Sequence, residues 1–241
     1  MKVVAIIQAR MGSTRLPGKV LKDLGGQSVL ARVVARLRRS RLIHELLVAT
    51  TDLPADDAIV AECNCLSVQA FRGDQDDVLD RYFRAAQSVE ADLVVRITSD
   101  CPLIDQEITD KTVAAFLQAQ PDYASNALTR TYPRGLDTEV ISFKALARAW
   151  HEARKPYERE HVTPFIYEHP DEFKVLSVTG DEDLSGNRWT VDTAEDMEFV
   201  RAIYSRFQAS DAFSWRDVID LLRREPQLAE LNREVVQKAL H

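Results

Sequence analysis

Short apolar, β-branched runs that stop at polar loops constrain this chain most, because each reads as a strand buried on both faces of a parallel sheet. The first is Val3 to Ala9; others recur at Leu46 to Thr51, Leu66 to Phe71, Leu93 to Thr98, Lys174 to Thr179 and Arg188 to Val191. Segments with helical spacing lie between them. Val29, Val33, Val34 and Leu37 form one apolar face, Val78, Leu79, Tyr82, Phe83 and Ala86 a second, and Ile108, Val113, Phe116 and Leu117 a third. Asp76 and Asp105 stand where an N-cap carboxylate would accept the free amides of a first helical turn. Strands alternating with helices predict an α/β fold with a mostly parallel sheet.

The alternation breaks in the middle. From Tyr123 to about Ile141 the signals become short and polar-flanked, with Pro133-Arg134-Gly135 as a turn and Thr138 to Ile141 alternating like a half-solvated strand. This stretch, about 123–141, reads as a small β excursion from the main sheet. Helical spacing resumes after Thr193, with Phe199, Ile203 and Phe207 on one face and Trp215, Val218, Ile219 and Leu222 on the next. Pro226 then precedes a last expected helix, Leu228 to Leu240. The 241 residues are expected to form a single domain, with about 211–241 as a helical appendage.

Charge narrows the ligand. With 31 Lys plus Arg against 38 Asp plus Glu the net charge is −7, which disfavours a nucleic-acid polymer or an anionic membrane as partner. The longest uncharged stretch, Thr112 to Pro121, is far shorter than the roughly 20 apolar residues a transmembrane helix needs. The apolar run after Met1-Lys2 is too short for a signal peptide, and three cysteines without zinc spacing suit a reducing cytoplasm. Cys63 and Cys65 read as core or helix-end thiols.

In an open parallel sheet, ligands bind outside the carboxyl ends of the strands. The loop after the first strand carries Arg10, Arg15, Lys19 and Lys22 with no acid before Asp23, and Gly12, Ser13, Thr14 and Gly18 add backbone freedom and hydroxyls. That combination suits a polyphosphate. It is not the phosphate-cradling NTPase loop, since five residues separate Gly12 from Gly18 and Val20 follows Lys19, nor is there a G-x-G-x-x-G. Asp100 follows the fourth predicted strand and Asp192 the last. Each could be a hard-cation ligand facing the same edge, or simply cap the following helix; Thr193 and Asp196 resemble a capping box.

At positions 9 to 19, Ala-Arg-Met-Gly-Ser-Thr-Arg-Leu-Pro-Gly-Lys is very similar to the opening motif of the cytidylyltransferases that activate acidic sugars, closest to the KDO type. Phe71-Arg72-Gly73, Asp76 to Leu79, Ser99 to Leu103, Pro133 to Asp137, Arg159 to Thr163 and Val191-Asp192-Thr193 resemble the branch of spore coat polysaccharide biosynthesis protein F. The resemblance spans nearly the whole chain. It implies a three-layer α/β/α, nucleotide-diphospho-sugar-transferase-like fold, CTP as donor, Mg2+ as cofactor, and a homodimer built through the central excursion. It also implies roles for individual residues. Ala9, Arg10, Gly12, Ser13, Arg15 and Lys19 match the CTP-binding loop, with Lys19, Arg10 and Arg15 as catalytic cations; Arg72 matches a nucleotide-contacting position; Asp100 and Asp192 match the two metal carboxylates. Ser99 and Cys101 depart from the KDO pattern, which has Gly before the Asp and an acidic residue after it.

Arg134, Asp137, Glu139 and His161 either line an acceptor site or are surface turn and helix residues; an Arg there would suit an acceptor's carboxylate or phosphate. The expected activity is transfer of CMP from CTP to an acidic sugar or related acceptor, with release of pyrophosphate. Two rivals remain open at this point. One is a glycosyltransferase with its metal on the D-x-D string Asp181-Glu182-Asp183, otherwise a solvated acidic loop; the other is a non-catalytic nucleotide-binding protein.

Overall fold

A computed structural model describes residues 1–237. Its strands are β1 (Val3–Gln8), β2 (Glu45–Thr51), β3 (Gln69–Gly73), β4 (Leu93–Thr98), β5 (Tyr123–Ser125), β6 (Glu139–Ser142) and β7 (Val175–Ser177). They form one sheet in the order β3-β2-β1-β4-β6-β5-β7. Every neighbouring pair is parallel except the two made by β6, so only β6 runs against the rest. The predicted mostly parallel α/β sheet is therefore what the chain forms.

Side chains alternate across β1. Val4 and Ile6 pack under α3 (Val78–Ser88), α5 (Phe143–Glu152), α6 (Pro156–His161) and α7 (Pro164–Tyr167), where Tyr82, Leu146, Val162 and Ile166 meet them. Val3, Ala5 and Ile7 face the other way, onto α1 (Val29–Leu37), α2 (Asp57–Cys65) and α4 (Gln106–Ala119), through Leu30, Val33, Ile59, Val113 and Phe116. Each such aliphatic side chain withdrawn from water contributes about 1.5–3 kcal/mol, which is why the central strands carry no polar alternation. α8 (Ala194–Arg206) and α9 (Trp215–Arg224) build a third cluster around Trp189 and Leu103. Cys63 is buried in the core and Cys65 is exposed at the end of α2.

Several expected boundaries shift. Residues 123–141 are not an excursion from the sheet: β5 and β6 are hydrogen-bonded members of it, and only the 126–138 connection leaves it. Arg188 to Val191 is not a strand, because its backbone groups bond to loops instead of a ladder: Trp189 N–H to the Arg134 carbonyl (2.7 Å) and Val191 N–H to the Asp100 carbonyl (2.8 Å). The third strand begins at Gln69 rather than Leu66, since Leu66 caps α2 and Ser67 takes a left-handed turn (φ 51°). The strand expected over Lys174 to Thr179 narrows to β7. Asp77, not Asp76, caps α3, while Asp74 accepts the amides of both. Asp105 caps α4, and Thr193 with Asp196 forms the expected capping box on α8. The last helix is a 3-10 turn, Pro226–Asn232; residues 233–237 are turn and irregular chain rather than the expected helix, and the remainder of the expected span, from 238 on, lies outside the described residues.

Gly135 shows how tightly the 126–138 connection is pressed against the segment that leads to Asp192. Its φ is +110°, and a Cβ there would sit 2.7 Å from the Trp189 carbonyl carbon and 2.9 Å from the Thr190 nitrogen. Gly135→Ala is expected to destabilise the protein by about 2 kcal/mol or more, from combined strain and backbone clash. Urea denaturation checks this; an unchanged midpoint would contradict the close approach.

Candidate active site

The basic loop after β1 is folded by its own backbone. Gly18, in the left-handed region (φ 66°), donates to the Met11 carbonyl (3.1 Å), and Lys19 N–H donates to the Leu16 carbonyl (3.2 Å). This hairpin-like return starts the short 3-10 turn Lys19–Leu21 and sends the Lys19 side chain back across the carboxyl edge of the sheet. Asp56, between β2 and α2, fixes the other end of the loop. Its Oδ1 accepts the Met11 amide (2.7 Å), and its Oδ2 accepts the Thr51 amide (3.1 Å) and the hydroxyls of Thr50 (3.0 Å) and Thr51 (2.5 Å). Burial alone would raise the Asp56 pKa, but these four donors outweigh it and the net direction is down.

Lys19 is the centre of the site. Its Nζ donates to Asp100 Oδ2 (2.7 Å), Asp192 Oδ1 (2.8 Å) and the Val191 carbonyl (2.8 Å). Burial would lower the Lys19 pKa, yet the two carboxylates more than compensate and it is raised. Asp192 moves the opposite way: burial would raise it, and Lys19, Arg15 and Arg188 bring it down. Both directions describe a charged cluster at neutral pH. Arg15 reaches Asp192 Oδ2 at 3.0 Å, and Arg188 reaches the same oxygen at 2.8 Å while gripping Asp196 with a second pair of bonds at 2.9 and 3.0 Å. Asp196 is wholly buried and also accepts the Asp192 and Thr193 amides. Asp100 is held through Thr98 Oγ1 (2.6 Å) on its side chain and through Val191 and Thr190 on its carbonyl.

Two carboxylates and a carbonyl thus converge on one positive centre. They are hard oxygen donors, and a divalent cation of the Mg2+ type needs only one or two carboxylates alongside water and phosphate oxygens. The donor set therefore fits Mg2+. Among the described residues there is no cluster of three or more His, Cys, Asp or Glu that could hold a metal by protein ligands alone.

The remaining predicted residues divide. Arg10 and Gly12 are exposed on the same loop, Ser13 accepts the Leu16 amide (3.4 Å), and Ala9 is buried with its amide on the Ala49 carbonyl (3.1 Å). Arg72 turns to the β2–α2 connection, donating to the carbonyls of Thr51 and Leu53 and to Asp57. Arg134 is pinned by its backbone to Asn187 and Trp189, and Asp137 forms a two-bond pair with Arg130 (2.5 and 2.9 Å). Both lie within electrostatic range of other groups near the site: Asp137 helps push the neighbouring Cys101 thiol up, after burial and Asp100. Glu139 acts electrostatically on Arg130 but is hydrogen-bonded elsewhere. It pairs with Arg96 (2.5 Å) and accepts from Tyr123 (2.9 Å), bridging β4, β5 and β6. His161 ends α6, half-buried. Asp181 and Asp183 are exposed, and Asp183 accepts the amide of Ser185 in its own turn. Asp56, Arg188 and Arg130 belong to the site and carry no motif that marks them in the sequence; Asp196 is marked there only as the helix cap with Thr193.

Comparison with known proteins follows the same lines. A family model described as cytidylyltransferase matches residues 4–238. The chain is 42% identical to an uncharacterised protein of Methanocaldococcus jannaschii, covering 99% of this chain and 98% of the relative. It is 34% identical to spore coat polysaccharide biosynthesis protein SpsF of Bacillus subtilis, covering 94% and 96%. By contrast, the 3-deoxy-manno-octulosonate cytidylyltransferase of Trichlorobacter lovleyi is 34% identical over only 48% of this chain and 46% of its own length. Among solved structures, a cytidylyltransferase from Leptospira borgpetersenii superposes with a TM-score of 0.92 at 36% identity, covering 99% of this chain and 100% of that one.

The Asp56 clamp yields a pH-dependent expectation. A carboxylate with a lowered folded pKa contributes stability that is in place above its unfolded value, about 3.9, and is lost as pH falls through the folded value. Asp56→Asn is expected to cost about 1–3 kcal/mol at pH 7. That deficit relative to the parent should shrink by about pH 3 and below, as urea titrations at both pH values would show. An equal deficit at both would contradict the charged clamp.

Proposed function

Because the chain belongs to the cytidylyltransferase family of CTP-dependent nucleotidyltransferases, we propose that it transfers CMP from CTP to an acidic sugar or a related acceptor, releasing pyrophosphate. The observation that carries this reading is the convergence, on Lys19 Nζ of the basic loop, of two carboxylates: that of Asp100, after β4, and that of Asp192, on the segment that crosses the same edge. A triphosphate needs cations on one side and a metal-binding carboxylate pair on the other, and this edge of the sheet brings both to one point.

Arg10, Arg15 and Lys19 neutralise charge on the triphosphate and hold it in line with the acceptor. Asp100 and Asp192 would hold Mg2+, which supplies Lewis-acid stabilisation of the phosphate oxygens when bound. The acceptor oxygen attacks the α-phosphorus as the bond to the β-phosphate oxygen breaks, and pyrophosphate leaves. No protein nucleophile is required, since positioning and charge stabilisation supply the rate. Arg134, on the 126–138 connection, is the group best suited to an acceptor's carboxylate. The relative in spore coat polysaccharide synthesis supports an acceptor that is a glycan precursor. None of the helices formed by the described residues is long and apolar enough to cross a membrane. The reading includes a cytoplasmic homodimer joined through the central segment.

A pyrophosphate-release screen of the four ribonucleoside triphosphates against acidic sugars tests the reading. CTP alone should respond; release of a nucleoside phosphate from a sugar donor, or no turnover with any acceptor, would sink it. Lys19→Ala and Asp100→Ala are each expected to lower turnover by about tenfold to a hundredfold, as loss of one preorganised charge does.

A further inference from the structure

Lys19 and Arg15 stand on the carboxylates that the proposed metal needs. The cluster is closed in charge: Asp100, Asp192 and Asp196 face Lys19, Arg15 and Arg188. Arg188 is shared between Asp192 and the buried Asp196, whereas Lys19 and Arg15 belong to the loop that would grip the triphosphate. The Lys19 side chain is only 11% exposed and that of Asp192 only 16%, so water does little to screen the pairs or to replace them.

We infer that the site takes a divalent cation and a triphosphate as one ligand and resists either alone, with Lys19 and Arg15 acting as placeholders for the metal until the phosphates claim them. This rests on the reading of Asp100 and Asp192 as the metal carboxylates. A cation arriving alone must evict Lys19 from two carboxylates and leave a mostly buried ammonium with only the Val191 carbonyl. A triphosphate arriving alone draws Lys19 and Arg15 away and leaves Asp100 with no cation, and Asp192 with Arg188 alone, facing a polyanion. When both arrive, Lys19, Arg15, Asp100 and Asp192 gain new partners, the Arg188–Asp196 pair is kept, and no charge is stranded. The two ligands are then thermodynamically linked, each raising the affinity for the other.

The test uses binding of the whole chain, not turnover. Mn2+ is titrated without nucleotide, followed by the electron-spin signal of the free ion, and CTP is titrated in EDTA by equilibrium dialysis. Lys19→Met is expected to bind Mn2+ alone about tenfold more tightly than the parent. Asp100→Asn is expected to bind metal-free CTP about fivefold or more tightly than the parent. Both are gains of affinity, which a misfolded variant cannot produce. Mn2+ affinity that is unchanged or lower in Lys19→Met, or metal-free CTP affinity that is unchanged or lower in Asp100→Asn, overturns the inference. Either result leaves the transferase reading standing if the parent still releases pyrophosphate from CTP; a parent that does not do so overturns that reading instead.

Discussion

The ammonium of Lys19 is where three distant parts of the chain are joined. Residues 19, 100 and 192 meet because β1 and β4 are parallel neighbours whose carboxyl ends emerge side by side, and because the segment after Trp189 crosses that edge bonded to Asp100. Two carboxylates drawn onto one half-buried spot repel each other, and only a cation between them makes the arrangement stable. The local folding of the basic loop, with its left-handed Gly18 and the Asp56 anchor on Met11, serves to deliver that cation. Behind it the network continues inward. Asp192 is braced by Arg188, Arg188 by Asp196, and Asp196 by Asn232 at the end of the 3-10 turn (2.9 Å).

What the sequence discloses and what it hides follow from the range of the interactions concerned. β1, β2 and β4 are legible because a strand buried on both faces must be apolar throughout, and the amphipathic faces of α1, α3 and α4 are legible because one side must be dry. The basic loop, Asp100 and Asp192 are found by position, since a charged residue directly after a buried run stands at the sheet edge. Arg188 to Val191 deceives for a tertiary reason: its apolar residues are buried, but against α8 and α9 rather than in a ladder, and its backbone partners are loops. Asp56 is invisible because its importance lies in the Met11 amide, a partner that no local spacing reveals. Glu139 has a partner of the same hidden kind: the first residue of β6, it stands opposite Arg96 of β4, a pairing set by sheet register and not by local spacing.

Buried arginines explain why the carboxyl-terminal helices are not a loose appendage. Arg32 and Arg36 lie on the core side of α1 and spend their donors on backbone carbonyls of Leu24, Ile104, Ala209 and Phe213, with Asp211 and Asp105 as counter-charges. Removing the segment they grip would strand two guanidinium groups away from water, a penalty much larger than the loss of a surface pair. α1 begins ten residues after Lys19, beyond the 3-10 turn and the bridged loop from Asp23 to Ser28, so the helix that follows the basic loop also carries the far end of the chain.

The single reversed strand has a consequence of a different kind. By lying between β4 and β5, β6 divides the sheet into a β3-β2-β1-β4 block that carries the basic loop and Asp100, and a short β5-β7 flank joined to its ladder through β6. The 126–138 connection starts and finishes at this seam, with both ends held by ladder hydrogen bonds. Away from Arg134 and Gly135, which are pressed against residues 187–190, residues can be added to or taken from such a loop without disturbing ladder register on either side. On the proposed function, the block that would handle the nucleotide can thus be inherited unchanged while the flank is rebuilt for a new acceptor, an architecture suited to diversification of one half at a time.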